Sequence, residues 1–425
     1  MPQSIQKAKK ILERILQEDS AESIQKRLKP RLPGEEPLPK RIPAGVDSSC
    51  EGLEKRQQFM KSLGFTINKL TCAAIPESPE QLKGNIENHI GYASIPVGVI
   101  GPLRINGLNA YGDFFVPMAT TEGALVASYN RGAHVISQSG GASVMCLSES
   151  ISRAPCFVFN SLVDTGLFLA WVLTQVELFQ EIVAGTTRHG TLIDMQTTVN
   201  GKVVYLTFEY TTGDAAGQNM VTIATEAICQ ELVNRSPIKP VKWFLEGNFS
   251  GDKKVTMLAF LMARGKKVIA ETTIPATIVR KFLHTEPADM VLHSRISTQG
   301  AIMSGSIGVQ GHFANALAAI FIACGQDAAC AAEAAMGLTQ MEVTSAGDLC
   351  VTVTLPNLPV GTVGGGTHLP TAQECLAMVG CQGAGTSRKF AEICAATVLA
   401  GEISIVGALS AGDFGKAHAT FRHKQ

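Results

Sequence analysis

The chain has 425 residues, more than one compact core usually serves, so two or three domains are expected. Lysine plus arginine equal aspartate plus glutamate at 36 each, which excludes a general polyanion-binding surface and nucleic acid as a partner, leaving at most a local basic pocket. Eleven cysteines without a Cys-x-x-Cys pair, most among apolar residues, read as reduced buried thiols of a cytoplasmic protein rather than as a disulfide framework.

In chain order, the first element is an amphipathic helix with Ile5, Ala8, Leu12, Ile15 and Leu16 along one side, not the apolar block of an export signal. Five prolines between Pro30 and Pro43 then forbid regular helix or interior strand over Lys29 to Ala44, which reads as a linker or an arm laid over a neighbour. A second helix is expected from about Ser49, with Leu53, Phe59, Met60 and Leu63 as its apolar side and Gly64 as its stop. Residues 1–86 thus form a small helical N-terminal region with a Pro-rich linker.

Further on, Thr191 to Val199 and Lys202 to Tyr210 read as a hairpin closed by Asn200-Gly201, the pair preferred by a type I′ turn. A helix follows, with Met220, Ile223, Ala224, Ala227, Ile228 and Leu232 at helical spacing. Residues 155–242 are therefore expected to be a small α+β domain inserted between 87–154 and 243–425, which share a larger core. The apolar run Ala316 to Gly325 is too short to cross a bilayer and reads as a core helix, so no membrane partner is expected.

Gly-x-Gly-x-x-Gly, Gly-x-x-x-x-Gly-Lys-Ser/Thr, Gly-x-Ser-x-Gly and His-Glu-x-x-His are all missing, and no histidine pair has metal-ligand spacing. What remains is four charged side chains in Gly/Ala/Ser/Thr-rich surroundings: Glu122, Lys253, Asp327 and His418. Two acids, a cation and an imidazole are the parts that stabilise an oxyanion and move protons around it. Each also has a plain reading: Glu122 as an early-helix acid, Lys253 as a solvated loop lysine, Asp327 as a helix-end carboxylate in solvent, His418 as a tail histidine. The apolar run before Asp327 and Ala328 to Ala332 around it predict a buried carboxylate in need of a cation. Asp214 to Asn219 is the phosphate candidate, with Arg188 as a nearby cation; the competing reading is that Asp214 caps the following helix. Gly361 to Thr367 is either a tight backbone crossing or a ligand contact.

Glu87-Asn-His-Ile-Gly-Tyr92, Ile95 to Pro102, Val116-Pro-Met-Ala-Thr-Thr-Glu-Gly123, Gly247-Asn248, Asp252-Lys-Lys254, Ile322 to Ala329, Gly361 to Thr367 and Ala400-Gly-Glu402 together resemble the 3-hydroxy-3-methylglutaryl-coenzyme A (HMG-CoA) reductases, specifically the catalytic portion of the class I enzymes. The resemblance runs from about residue 85 to the end. It implies an α+β fold with a large mixed α/β domain, an inserted ferredoxin-like cofactor-binding domain, and a homodimer or tetramer with sites between subunits. It also implies reduction of HMG-CoA to mevalonate and free coenzyme A by two hydrides from NADPH, with Arg188 placed to meet the ribose phosphate; the NADH-using reverse direction is the rival. Lys253 would stabilise the carbonyl oxygen, Glu122 donate a proton, Asp327 tie these two together, and His418 protonate the departing thiolate. Substrate positions fall on Ser128, Asn130, Arg131, Arg153, Asp252, Lys254, His312 and Asn315, with Arg153 on the glutaryl carboxylate. Cofactor positions fall on Arg188, Asp214, Ala215, Gly217, Asn219, Gly364, Gly365 and Gly366. The chain departs from the family pattern at Gly45, His134, Ala216, Gln218 and Glu246, the last standing where a serine touching substrate is usual. With no membrane anchor ahead of the catalytic part, a soluble cytoplasmic enzyme is the expectation.

Overall fold

The computed structural model describes residues 5–18, 20–43, 49–68, 85–86, 88, 92–262 and 264–415. Helices Ile5–Glu18 and Cys50–Ser62 lie where expected, the second capped by Ser49 Oγ at Gly52 N–H (3.1 Å) and stopped at Gly64 with φ +86°. A short helix, Ala21–Leu28, escaped the sequence reading although Ser20 caps it at Ser23 N–H, 3.2 Å. The Pro-rich stretch is an arm laid over the chain's own sheet. The fully buried Arg104 guanidinium donates to the carbonyls of Arg31 and Glu36 at 2.7 and 2.8 Å while pairing with Asp113 at 2.7 Å. Such a cation satisfies backbone acceptors that prolines leave without ladder partners.

Among the described residues, ten strands form one mixed, mostly antiparallel sheet: β1 Val97–Gly107, β2 Tyr111–Ala119, β3 Ala142–Arg153, β4 Cys156–Val158, β5 Thr191–Asn200, β6 Val203–Thr211, β7 Lys242–Phe244, β8 Gly265–Ile274, β9 Leu338–Val343 and β10 Leu349–Leu358. The order is β7-β4-β6-β3-β8-β10-β9, with β1 parallel to the start of β3, β2 on β1, and β5 on β6. β3 links the two halves: Ser143 to Ser150 pair with β8, whereas Ile151 to Arg153 pair with β6. Two apolar clusters follow this split. The larger gathers β1, β2, β8 and β10 with helices Leu125–Gln138, Phe313–Ala323 and Ser387–Ser410; the smaller runs from Ile151 to Leu232.

The hairpin register moves by one residue from expectation: Asn200 pairs with Val203, so the loop is Gly201-Lys202. Only Gly201 has positive φ (+59°), whereas a type I′ turn needs it at both loop positions. The next helix, Gln218–Arg235, buries Val221, Ala224, Ile228, Cys229 and Leu232 and leaves Ile223 exposed, a face rotated slightly from the predicted one. Phe313–Ala323 is the expected core helix. Ser387–Ser410, however, is long and apolar enough to span a bilayer by composition, and the sequence reading overlooked it; 83% of its apolar window is buried inside the protein, as a core helix requires.

That helix crosses Leu125–Gln138 with almost no space between them. A Cβ on Gly132 would lie 1.8 Å from the Ala400 carbonyl oxygen, and one on Gly401 would lie 2.2 Å from the Tyr129 ring. The missing side chains let the backbones touch, which brings the polar face of one helix onto that of the other.

Candidate active site

At this crossing Ser128 Oγ meets Ser404 Oγ at 2.9 Å, and Arg131 donates to the Ser404 hydroxyl and carbonyl at 3.1 and 2.7 Å. Beside them the buried Glu402 carboxylate accepts Gly311 N–H (2.7 Å), His312 N–H (2.8 Å) and the Thr339 hydroxyl (2.7 Å), with His312 Nδ1 at 3.3 Å. Burial alone would push its pKa up; the donors of His312 and Gly311 more than offset that and hold it below the ordinary glutamate value. Tyr129 stacks on His312 with ring centroids 5.0 Å apart and donates to the His312 carbonyl at 3.0 Å. The arrangement fixes His312 at the N-terminal end of helix Phe313–Ala323, one turn before Asn315, whose amide donates to Glu122 Oε1 at 3.3 Å.

Glu122, Ser128, Arg131, His312, Asn315 and Phe414 line a cavity of about 370 Å³. Glu122 precedes the helix, whose N-cap Ala124 has φ +67°, so it is a site-facing loop acid rather than an early-helix one. Asn130 is not among the residues lining this cavity; its side-chain oxygen accepts Gly101 N–H at 2.9 Å, and it lines the adjoining groove. An adjoining groove of about 920 Å³ carries Arg41, Arg56, Arg131 and Lys281. His134 also lines it, but burial, with help from Arg41 and Lys281, lowers its pKa to about 4, so it adds no charge at neutral pH.

In a glutamine at 402 an amide NH2 replaces one carboxylate oxygen, so either the His312 N–H or the Gly311 N–H and Thr339 hydroxyl would face a donor instead of an acceptor. Glu402→Gln is expected to destabilise the fold by about 2–4 kcal/mol, read as a shifted urea midpoint with unchanged slope. A depressed folded-state pKa contributes stability that is fully present above the unfolded value of about 4.3 and lost as pH falls through the folded one. The variant's deficit should therefore shrink on acidification below about pH 4.

The second charged cluster lies past the far end of the same 11-residue helix, about 16 Å along its axis. Lys253 Nζ makes an ion pair with Asp327, reaches Gln218 Oε1 at 3.2 Å and approaches Cys330 Sγ at 3.4 Å. Gln218 in turn donates to Cys330 Sγ at 2.7 Å. Partial burial pulls the lysine pKa down, but Asp327 and the sulfur outweigh it and leave it above the ordinary value; Lys253 correspondingly holds Asp327 below its own. Burial pushes Cys330 up to about 12, so it is a neutral thiol. Lys253 has φ +60°, a left-handed conformation that costs a non-glycine residue about 1 kcal/mol. Asp327 corrects the sequence reading: its side chain is 47% exposed, because the turn after Ala323 carries it out of the apolar helix. It has the expected cation nonetheless. Among the described residues of one chain, Glu122 makes no hydrogen bond or ion pair with Lys253 or Asp327.

Next to it, Arg153 Nη1 donates to Asp252 (3.1 Å) and Glu246 (3.3 Å), and Nη2 to Thr222 (2.9 Å). Asp252 is also held by Arg264 at 2.5 Å, and Arg264 by the buried Glu333 at 2.8 Å. Lys254 turns back to the Asp252 carbonyl at 2.8 Å.

The cofactor candidates converge. Ala215 bridges Val363, Asp214 O accepts Thr362 N–H at 2.8 Å, and a Cβ on Gly361 would strike Ala216 N at 2.4 Å. Gly361 and Gly366 thus serve a close backbone crossing, whereas Gly364 (φ +75°) and Gly365 (φ +57°) face open space. Asp214 caps a different helix from the expected one: its carboxylate accepts Gly385 and Ser387 N–H at 2.7 and 3.0 Å, at the start of Ser387–Ser410. Helix Gln218–Arg235 begins at Gly217 (φ +79°) with no side-chain cap, which leaves its first N–H groups for an anion. Asn219 and Arg188 are exposed near this end; the Arg188 loop is fastened there by Thr187 Oγ1 at Met220 Sδ, 2.9 Å. Open glycines, an uncapped helix start and an exposed arginine fit a dinucleotide phosphate.

His418 lies outside the described residues. Sequence reading missed Tyr129, Arg264, Cys330 and Glu333, and gave Glu402 and Gln218 no role. An acid inside the apolar stretch from Phe390 to Ala408 was a legible signal for Glu402; nothing in sequence spacing announces the contact of Gln218 with Lys253.

Residues 52–423 match the family model for hydroxymethylglutaryl-coenzyme A reductase. The 3-hydroxy-3-methylglutaryl-coenzyme A reductase of Methanocaldococcus jannaschii is 43% identical over 86% of this chain and 91% of its own length. That of Methanothermobacter thermautotrophicus is 44% identical over 87% and 93%. Among solved structures, a class II reductase from Streptococcus pneumoniae bound to NADPH in open conformations superposes with TM-score 0.69 at 18% identity, covering 87% of this chain and all of that one.

Proposed function

The chain belongs to the hydroxymethylglutaryl-coenzyme A reductase family, and from that premise we infer that it reduces 3-hydroxy-3-methylglutaryl-CoA to mevalonate and free coenzyme A with NADPH. The observation that carries the site assignment is the Lys253–Asp327 ion pair held against Gln218, the first residue of the helix at the cofactor motif. A cation fixed there stands where the thioester carbonyl and the nicotinamide would meet.

NADPH, when bound, supplies a hydride to each of the two reductions. Lys253 stabilises the negative charge that develops on the carbonyl oxygen, and Asp327 keeps it charged and aimed. Glu122, positioned by Asn315, donates the proton that completes the alcohol, and His418 protonates the coenzyme A thiolate. Arg153 takes the distal carboxylate of the acyl group; Asp252, Lys254, Ser128, His312 and Asn315 shape the surrounding contacts. The cationic groove of Arg41, Arg56, Arg131 and Lys281 suits the phosphates of coenzyme A. Arg188 meets the ribose phosphate, with Ala215, Gly217, Asn219 and Gly364 to Gly366 along the pyrophosphate and Asp214 bracing that loop.

Since the Glu122 and Lys253 ends of one chain stand a helix length apart, the complete site forms between two copies, each contributing one end. The helix Pro287–Ser304, with Leu292, Ile296, Ile302 and Met303 exposed, supports self-association. Residues 155–242 are proposed as an inserted ferredoxin-like domain. The succession β4, two helices, β5, β6, helix, β7, with antiparallel order β5-β6-β4-β7, supports this, with β7 carrying the unit two residues past the expected bound, to Phe244.

Purified protein is expected to oxidise NADPH on addition of HMG-CoA, faster than NADH. No oxidation of either would overturn the assignment. Arg188→Ala is expected to raise KM for NADPH about tenfold and leave KM for NADH within twofold, the difference one phosphate contact makes.

A further inference from the structure

Arg153 reaches the substrate's distal carboxylate only through acids already on it. Its guanidinium shares Nη1 between Asp252 and Glu246, and Nη2 is spent on Thr222. The two acids are not equivalent. Asp252 is clamped from the other side by Arg264 at 2.5 Å, so it stays with the scaffold. Glu246, two residues beyond β7, is held by one long contact to Arg153 (3.3 Å) and by the Ser250 hydroxyl at 3.0 Å, and its side chain keeps 29% exposure, a route to water. The contact is also incomplete: Arg153 Nε and Glu246 Oε1 are both buried and without a hydrogen-bond partner among the described residues. A carboxylate that sits on an arginine without making the two parallel bonds the fork offers is poised for exchange.

We propose that Glu246 is a resident competitor for the anion site of Arg153: its carboxylate occupies the guanidinium in the resting protein and leaves when the carboxylate of the acyl group arrives. It thereby sets how tightly the acyl end is held, separately from the coenzyme A end. Exchange of one carboxylate for another keeps the charge around Arg153, Asp252 and Arg264 constant through binding, so neither the free nor the loaded pocket holds an uncompensated buried charge. The inference rests on the reading of Arg153 as the acyl-carboxylate anchor.

Glu246→Gln and Glu246→Ser remove the competing charge, and Glu246→Asp keeps it for the case that neutral variants fold poorly. With the full chain, KM for HMG-CoA is expected to fall about tenfold or more in the neutral variants, with kcat changing less than KM. Binding of 3-hydroxy-3-methylbutyryl-CoA, a thioester without the distal carboxylate, is expected to stay within twofold. A merely structural role would move both thioesters together. Titration calorimetry with HMG-CoA in the absence of NADPH reads the same competition without turnover. Wild-type protein that binds HMG-CoA but never oxidises NADPH would sink the reductase reading alone. An unchanged or raised dissociation constant for HMG-CoA in folded Glu246→Gln or Glu246→Ser would overturn the competitor, as would failure of all forms to bind it. If only Glu246→Asp folds, its shorter reach should lower the HMG-CoA dissociation constant severalfold, and no change there would also overturn it.

Discussion

Lys253→Ala is expected to lower kcat about 10³-fold or more while the protein stays folded. Loss of one donor to a developing oxyanion typically costs 10²–10³ in kcat, and here the donor is a full charge at the junction of the cofactor helix and Asp327. Stability should change by less than about 1 kcal/mol, because the side chain is 35% exposed and water can solvate Asp327 in its absence. Lys253→Arg should not rescue turnover, since a planar fork cannot replace a compact ammonium between Asp327, Gln218 and Cys330. Steady-state NADPH oxidation together with circular-dichroism melting checks both halves. Turnover within tenfold of wild type would remove the oxyanion role.

The second large effect concerns the fold. Gly132→Val is expected to cost more than about 3 kcal/mol, and to lower the melting temperature by several degrees or prevent soluble expression. The obstacle is the Ala400 carbonyl oxygen, 1.8 Å from where Cβ would sit, and backbone cannot rotate aside as a side chain can. Separating the helices would also pull Ser128 and Arg131 from Ser404, so any folded fraction should show a raised KM for HMG-CoA. A variant with wild-type melting and KM would show that the crossing tolerates a gap.

How far the sequence reveals these features depends on their range. The helix after Ser49 and the strands either side of Gly201 are written in local periodicity and turn residues, and they form within a residue or two of expectation. The exact hairpin loop is not, because the pairing of Asn200 with Val203 is settled by which strand face meets the smaller core. Asp214 shows the limit at the site: an acid before a helix reads as its cap, yet the carboxylate reaches 171 residues along the chain to Gly385. Asp327 was placed inside because its neighbours are alanines, and only the turn past Ala323 decides that it faces out. Glu122 and Lys253 are recognisable one by one, but their separation by a helix length is a property of the folded chain. The route of helix Ser387–Ser410 through the core was obscured by its small residues, which dilute periodicity and are what permit its close crossings.

One rod, Phe313–Ala323, carries Asn315 near its head and leads into Asp327 past its tail. In the symmetric pair proposed above, every protomer would serve two reaction centres at once, lending proton-donating equipment to one and charge-stabilising equipment to the other. Damage at either pole of the rod would then harm a different centre, and a hybrid of two differently crippled protomers is expected to keep one intact centre alongside one doubly broken.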